Sequence, residues 1–279
     1  MHISFVILHY ITLNDTVECV ESIINNVEYD DYSIVIVDNG SPNNTGKELL
    51  DKYQNIDNIK VIISKENLGF AKGNNIGFKY AKYEEEADFI VMINNDTIIK
   101  QETFCSELIE QYRITNYDIC GPDIISLIDN NHQNPVPKIF YSDKQVQKMI
   151  IKFKILLLLN YIRCDKIVEG IFQKRNNNLI NEVKELDDFQ LHGSCLIFSP
   201  KYLENYDGLC DKTFMYIEEC ILKYIAERDS LKLLYCDKLT IYHKEDSSTN
   251  ASMSKGYKKR RFFYKHSIDS CKVLLTLMR

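Results

Sequence analysis

Residues 88–97 read Asp88-Phe-Ile-Val-Met-Ile-Asn-Asn-Asp96-Thr97. Phe89 to Ile93 is a continuous apolar run that stops on Asn94, Asn95 and Asp96. Such a run suits a strand buried on both faces, and a short buried helix as well. In an extended chain side chains alternate, so Asn94 and Asp96 would fall on the same side. A carboxylate and an amide oxygen at the end of a buried strand suit a hard divalent cation. Mg²⁺ commonly takes one or two protein carboxylates and leaves the rest to phosphates and water. Asn-Asn-Asp-Thr is equally good turn and helix-capping chemistry. On this stretch alone both readings stand.

The flanks give it a context. Ile3–Leu8, Ser33–Val37 and Lys60–Ser64 read as strands. Between them lie helical stretches: from a cap at Asn14 or Asp15 to about Asn26, from Thr45 to about Tyr53, and from Asn67–Ala71 to about Tyr83. A helix over Gln101–Ile114 and a strand over Asp118–Ile125 follow. Strands alternating with helices predict the α/β class, with a parallel sheet covered on both faces. Ligands of such sheets sit outside the carboxyl ends of the strands. Asp38 and Asp96 both fall at such ends, which favours the metal reading of Asp96. Gly69, Gly73 and Gly77 make neither G-x-G-x-x-G nor a P-loop. The loop His9–Asp15 contains no glycine, which argues against a backbone phosphate cradle there. A bound nucleotide would be held by side chains and a metal.

Composition narrows the class. Against 34 Lys and Arg stand 40 Asp and Glu, a net charge of −6, which argues against nucleic acid as a partner. The nine cysteines are scattered with no C-x-x-C pair, so no zinc or redox motif is indicated and a reducing cytoplasm is expected. Met1–Tyr10 lacks a basic n-region and a cleavage site, and reads as a first strand, not a signal peptide. The longest apolar run, Ile155–Leu159, is too short to span a membrane.

Beyond residue 125 the alternation breaks. Asp129–Pro137 is a loop by composition. Gln145 to about Phe172 reads as a lysine-studded amphipathic helix, packed on the domain or lying as an acceptor-side lid or on a membrane surface. Asn176–Asn178 reads as a loop tip. Asp187–Pro200 returns to strand character, and His192 within it is as well suited to a structural role as to a functional one. Glu218 and Glu219 open a helix whose buried stripe is Ile221, Leu222, Tyr224 and Ile225; the helix dipole alone would favour carboxylates there. Leu231–Cys236 is a further strand, and His243 lies in a segment after it. Lys255–Lys265 packs six cations and four aromatics into an acidic chain, as a solvated helix face or a contact for anionic lipid.

The segments VDNGSPNNTG (37–46), ENLGFAKGNNIGFKYA (66–81) and FIVMINNDT (89–97), at these separations, resemble the family 2 inverting glycosyltransferases of GT-A fold. The similarity is strongest to the rhamnosyltransferase-like members of polysaccharide assembly. It covers residues 3–125 and returns over about 190–250.

The resemblance implies a Rossmann-like, mostly parallel mixed sheet flanked by helices. Residues 1–125 would form the nucleotide-sugar half. Residues 126–250 would form the acceptor half, with a helical insertion near 140–185, and 251–279 a basic-aromatic tail. It implies that Asp38 contacts the nucleobase or ribose, and that Asn67, Gly69, Asn74 and Asn75 shape the donor pocket. His9, Tyr10 and Asn95 would also lie on the donor. Asn94 and Asp96 would occupy the ends of the D-x-D motif, Asp96 as ligand of Mg²⁺ or Mn²⁺, with His243 close to metal and diphosphate. His192, Gly193 and Ser194 would line the donor sugar. Glu219 would be the catalytic base, with Glu218 orienting a neighbour or capping the helix. Many members carry aspartate at the positions of Asn94 and Glu219, and tyrosine-glycine where this chain has Tyr216-Ile217.

The implied reaction moves one sugar, with inversion, from a dTDP- or UDP-linked donor to a hydroxyl of a growing surface glycan or lipid-linked oligosaccharide. A cytoplasmic enzyme visiting the inner membrane face through residues 255–265 is the matching expectation. Two rivals are a non-catalytic nucleotide-sugar-binding subunit and a sugar nucleotidylyltransferase. The second normally needs a glycine-rich basic loop after the first strand, which His9–Asp15 lacks.

Overall fold

A computed structural model describes residues 1–166, 188–245 and 256–279. The first part runs β1 (Ile3–His9), α1 (Leu13–Asn26), β2 (Tyr32–Asp38), α2 (Thr45–Tyr53), β3 (Ile59–Ile63), α3 (Phe70–Tyr83) and β4 (Phe89–Asn94). It continues through β5 (Thr97–Ile98), α4 (Phe104–Thr115) and β6 (Ile119–Ser126). Then come β7 (Val136–Pro137), α5 (Asp143–Tyr161), β8 (Phe189–Gln190), β9 (Cys195–Phe198) and α6 (Pro200–Leu203). The described chain closes with α7 (Glu218–Arg228), β10 (Leu233–His243) and α8 (Gly256–Leu277).

Eight strands form one sheet in the order β3-β2-β1-β4-β9-β6-β10-β5. The alternation of the first hundred residues gives the parallel set β3-β2-β1-β4. The sheet is not parallel throughout. β9 runs antiparallel to both β4 and β6, and β5 antiparallel to β10. The cause of the reversal at β9 is local. Ser194 already lies against Asn94 at the carboxyl end of β4, so the strand that follows can only run back along β4. One sheet thus passes through residues on both sides of position 125.

Strand alternation splits the apolar residues between two faces. Ile3, Phe5, Ile7, Ile34, Ile36, Phe89, Val91 and Ile93 pack with Cys19, Val20 and Ile23 of α1 and Leu108 of α4. Val6, Val35, Val37, Ile90 and Met92 pack with Ala71, Phe78 and Ala81 of α3, and with Phe198 and Tyr202. Each such side chain contributes roughly 1.5–3 kcal/mol by leaving water. The glycines of α3 serve this packing. A Cβ on Gly73 would stand 2.7 Å from Leu8, and one on Gly77 2.5 Å from Val6. Residues four apart share a helix face, so both glycines let α3 lie close on β1.

A third cluster joins α5, α7 and α8 through Val146, Ile150, Phe153, Leu156, Ile221, Tyr264, Ile268 and Leu274. The rings of the basic-aromatic segment turn into the fold. Phe263 and Tyr264 lie 5.4 and 6.2 Å from Phe153, and Phe262 lies 6.1 Å from Phe214. Arg260 is likewise internal, holding the fully buried Asp165 through Nε at 2.5 Å and Nη2 at 3.1 Å. Helix α5 ends at Tyr161. Asn176–Asn178, Asp187, Lys255 and the expected helical stretch from 167 to Phe172 lie outside the described residues. Among the described residues no helix is long and apolar enough to cross a membrane.

Candidate active site

Sheet register gathers the candidate residues at one edge. His9 pairs with Asp38, and Leu8 with Asn94, so β1, β2 and β4 end together. Ser194 joins this edge by accepting the Asn94 N–H through its carbonyl at 2.8 Å. His243 joins it because β10 pairs with β5, placing His243 opposite Thr97.

The side assigned to the nucleotide is built from locked polar groups. His9 is fully buried, and its ring nitrogens meet Thr16 Oγ1 at 2.7 Å and Thr45 Oγ1 at 2.8 Å. Burial pushes its imidazole down to about 4, against the pull of Asp38, so it is neutral near pH 7. Its Nε2 stands 3.9 Å from Asp38 Oδ1, so His9 packs behind that carboxylate. Asp38 accepts the Ser41 N–H at 3.2 Å and rests on Gly46, where a Cβ would lie 2.2 Å from its Oδ2. Tyr10 is half-buried on the next loop, and its carbonyl accepts the Thr12 N–H.

Asn39, Asn67 and Gly69 are knitted together. Asn39 Nδ2 donates to Asn67 Oδ1 and to the Gly69 carbonyl, and Asn39 Oδ1 accepts the Leu68 N–H. Gly69 has φ +84°, and a Cβ there would strike the Phe214 carbonyl at 2.1 Å. Asn74 is buried and caps Phe70 O at 3.0 Å. Asn75 mimics a peptide, with both ends of its amide bonded to the Leu209 backbone at 2.8 Å. These two asparagines therefore hold the backbone of α3 and of the loop before Phe214.

At the end of β4, Asn95 turns inward and donates to Thr12 and Thr16 at 2.9 Å each. Asn94 is half-buried, and Asp96 is buried. Asp96 Oδ1 lies 3.3 Å from Nε2 of the buried His243. Gln133 Nε2 donates to Glu245 at 2.7 Å, which turns its Oε1 toward His243 Nδ1 at 2.8 Å. Nδ1 is then the protonated nitrogen, and Nε2 faces a carboxylate oxygen. Two oxygen or nitrogen ligands of one ion, each about 2.1 Å from it, stand roughly 3.0–3.4 Å apart, so the pair fits a divalent cation. Carboxylate and carbonyl oxygens suit Mg²⁺ and Mn²⁺, while an imidazole nitrogen also suits other first-row ions. No group of three or more His, Cys, Asp or Glu able to hold a metal occurs among the described residues. Remaining ligands would come from Asn94, phosphate oxygens and water.

The three residues His192–Ser194 link this pair to the two glutamates. His192 lies 5.8 Å from the His243 ring, centroid to centroid. Its Nδ1 accepts the Ser194 N–H at 3.2 Å, which leaves the proton on Nε2. Burial, with His243 nearby, holds its imidazole down at about 4 against the pull of Asp96. Gly193 faces Glu219: a Cβ there would lie 2.6 Å from Oε1. Burial raises the Glu219 carboxyl above its ordinary range. Glu218 accepts from Thr213 Oγ1 at 2.9 Å, and burial together with Glu219 pushes it up to about 7. Tyr216 and Ile217, just before the pair, have φ of +72° and +70°. A β-branched residue in that region is a genuine outlier, costing about 1–2 kcal/mol. The strain sits directly beneath the carboxylates.

Sequence reading passed over Thr12, Thr16, Thr45, Thr213, Asn134 and Gln133. Asn134 Oδ1 accepts the His192 N–H at 3.1 Å, so the loop read only as Asp129–Pro137 supplies two supports of the site. Loop composition carries no sign of such long-range bonds. Asn39 was more legible, standing beside Asp38 at a strand end.

Comparison with known proteins finds relatives in sequence and likenesses in fold. The chain is 26% identical over 214 residues to the low-salt glycan biosynthesis hexosyltransferase Agl10 of Haloferax volcanii, covering 76% of this chain and 58% of that protein. It is 30% identical over 126 residues to the dTDP-rhamnosyl transferase RfbF of Shigella flexneri, covering 45% and 40%. The chain thus spans little more than half the length of these curated relatives at most. Among solved structures, GalNAc-T7 with UDP, GalNAc and Mn²⁺ superposes with a TM-score of 0.60 at 13% identity, over 89% of this chain and 45% of that one. That likeness shows the fold, the GT-A-like mixed sheet. The family model of glycosyl transferase family 2 matches residues 4–199, well over half of the sequence, and the chain belongs to that family.

Proposed function

We propose that the chain transfers one sugar from a nucleoside-diphosphate sugar, UDP- or dTDP-linked, to a hydroxyl of a growing surface glycan, with inversion at the sugar carbon. The observation that carries this reading is the convergence on His192–Ser194. On one side stands the Asp96–His243 pair, suited to a diphosphate and its cation. On the other stand two raised carboxyls, Glu218 and Glu219, of which Glu219 faces Gly193. GalNAc-T7 holds UDP, GalNAc and Mn²⁺ on the same fold, and RfbF is named for a dTDP-linked sugar.

Asp96, His243 and Asn94 would hold Mg²⁺ or Mn²⁺. When bound, the ion supplies Lewis-acid stabilisation of charge on the departing diphosphate. The protein does the rest. Asp38 and the Asn39–Asn67–Gly69 weave receive the nucleoside end. His192, neutral with its proton on Nε2, donates into the cleft. Gly193, without a side chain, lets the sugar lie against the strand end. Glu219 takes the proton from the acceptor hydroxyl as that oxygen attacks the sugar carbon. Its raised carboxyl suits a base that must hold a proton transiently near neutral pH. Glu218, tied to Thr213, orients the helix start. A lipid-linked oligosaccharide is an acceptor of the required chemistry, and the inner face of a membrane is where it would be met.

Glu219→Gln keeps the shape and removes the proton acceptor. Turnover should fall by about a hundredfold or more while donor affinity is retained. Near-normal turnover in Glu219→Gln, with Glu218→Gln inactive, would reverse the two roles. Release of pyrophosphate would instead point to nucleotidyl transfer.

A further inference from the structure

Helix α5 turns two apolar faces outward and inward at once. Val146, Ile150, Phe153 and Leu156 are buried against α7 and α8. On the opposite side Ile151 (57%), Ile155 (44%) and Leu158 (69%) are exposed, and Ile162 (68%) follows them just past the helix end. Spacings of four, three and four residues align them into one straight stripe. Its length is about 16 Å. Isolated apolar residues on a surface need no explanation, but a contiguous stripe on one helix does.

The charge around the stripe is of one sign. Lys148 borders it on one side and Lys154 on the other, with Lys144 continuing it toward the amino end, and all three are exposed. Across α5 four lysines face a single acid, Asp143, in a chain whose net charge is −6. Lysine stems lie along apolar surface and lift their ammonium groups outward. An apolar stripe with a cationic rim is the pattern of a helix lying in a lipid interface. The rings of Phe262, Phe263 and Tyr264 are engaged inside the fold, so they are not the surface that would do this.

We propose that the exposed face of α5 docks on an anionic lipid bilayer, its isoleucines and Leu158 entering the interface and its lysines meeting the headgroups. Charge complementarity selects this occupant. Pairing two copies through the same stripe would be isologous and would set lysine rim against lysine rim. The docked face has a use, which rests on the proposed reaction. α5 packs in one cluster with α7, and α7 opens with Glu218 and the base Glu219. Docking through α5 would present the acceptor side of the cleft to lipid-linked substrates.

The test is co-sedimentation of the full chain with vesicles of phosphatidylcholine, with and without phosphatidylglycerol. The wild type should bind the anionic vesicles selectively, and added salt should weaken binding. Ile155→Glu with Leu158→Glu should lower binding more than tenfold. Lys148→Glu with Lys154→Glu should lower it by at least about fivefold per lysine. No binding, equal binding to both vesicles, or variants that bind like the wild type would overturn the proposal. So would a dimer in sedimentation equilibrium that the Ile155→Glu, Leu158→Glu chain no longer forms. The chain has no tryptophan, so Leu158→Trp gives a single reporter in an otherwise unaltered protein. Its emission should shift to the blue on anionic vesicles, and an unchanged spectrum refutes docking. Donor turnover should be equal in all these variants. A wild type that binds vesicles but turns over no donor would defeat the catalytic reading and leave the docking intact.

Discussion

Gly193→Ala asks whether the Glu219 carboxylate works where the fold places it. The new Cβ would stand 2.6 Å from Oε1, where ordinary contact begins near 3.4 Å. The carboxylate must therefore retreat by about 0.8 Å, since packed atoms do not interpenetrate. The backbone does not resist the change, because Gly193 is not among the glycines with positive φ. The displaced atom is the far end of a flexible side chain, so melting should shift by no more than about 1 kcal/mol equivalent. Catalysis is less forgiving. A misplacement of about 1 Å can cost on the order of a hundredfold. The expected result is kcat down by roughly ten- to a hundredfold, with donor KM within a few-fold. The assay is transfer or donor hydrolysis at saturating donor, beside a thermal melt. Glu219→Asp draws the carboxylate back and leaves room for the methyl group, so Gly193→Ala should cost less in that background. A Gly193→Ala enzyme with wild-type kcat and an unchanged melt would refute Glu219 as the reacting group.

Asp96→Asn should abolish Mn²⁺-dependent stabilisation by nucleoside diphosphate in a thermal-shift assay while the melt without ligands is retained; full activity in excess chelator would reject the metal assignment. Glu218 and Glu219 bind protons more tightly folded than unfolded, so the stability they lend is full below about pH 4.5 and is lost as pH rises through the folded value near 7 for Glu218. Turnover should move the opposite way, rising with pH as the base loses its proton, and Glu218→Gln should flatten the stability loss in urea titrations across that range. Arg260→Ala should destabilise the fold by about 3–5 kcal/mol in urea, because it strands the buried Asp165 carboxylate. Arg260 first, and Asn160 with it, hold Asp165 down at about 2, so this contribution stands above the ordinary carboxylate range and fades as pH falls toward 2.

The elements with local signals were legible. Apolar runs and turn residues placed β1 to β4 and β6 within a residue or two, because each is specified by its own few residues, whereas α1 starts from Thr12 with no side-chain cap and not from Asn14 or Asp15. Asp38 and Asp96 were legible as site residues because strand ends are. What escaped depends on pairings between distant segments. Nothing near Cys195 announces that β9 enters the sheet centre against β4. Nothing near His243 announces Asp96; their meeting is made by the two-residue strand β5. Asn75 read as part of the donor pocket from the motif, and its amide gives and takes one hydrogen bond on the Leu209 backbone, a pairing no local signal carries. The basic-aromatic stretch read as surface because six cations lie together. The structure turns three of its rings inward and leaves exposed apolar side chains on α5, which read from sequence as an amphipathic helix either packed on the domain or lying on a surface.

The charge of the candidate metal site has a consequence for the order of binding. Asp96 brings one negative charge, Asn94 none, and His243 none while its proton stays on Nδ1 toward Gln133. A divalent ion in that site would keep a net positive charge and several ligand positions to fill. A diphosphate supplies oxygens and negative charge for both needs. On the proposed reading, ion and nucleotide complete each other, and by linkage each must raise the affinity of the other by the same factor. Titration calorimetry should therefore show weak Mn²⁺ binding to the chain alone, and clearly tighter binding with UDP or dTDP present. Asn94→Asp adds a second carboxylate. It should strengthen Mn²⁺ binding in the absence of nucleotide and shrink the coupling between the two. Equal Mn²⁺ affinity with and without nucleotide would mean that the protein fills the coordination sphere by itself, and the division of ligands drawn from Asp96 and His243 would then be wrong.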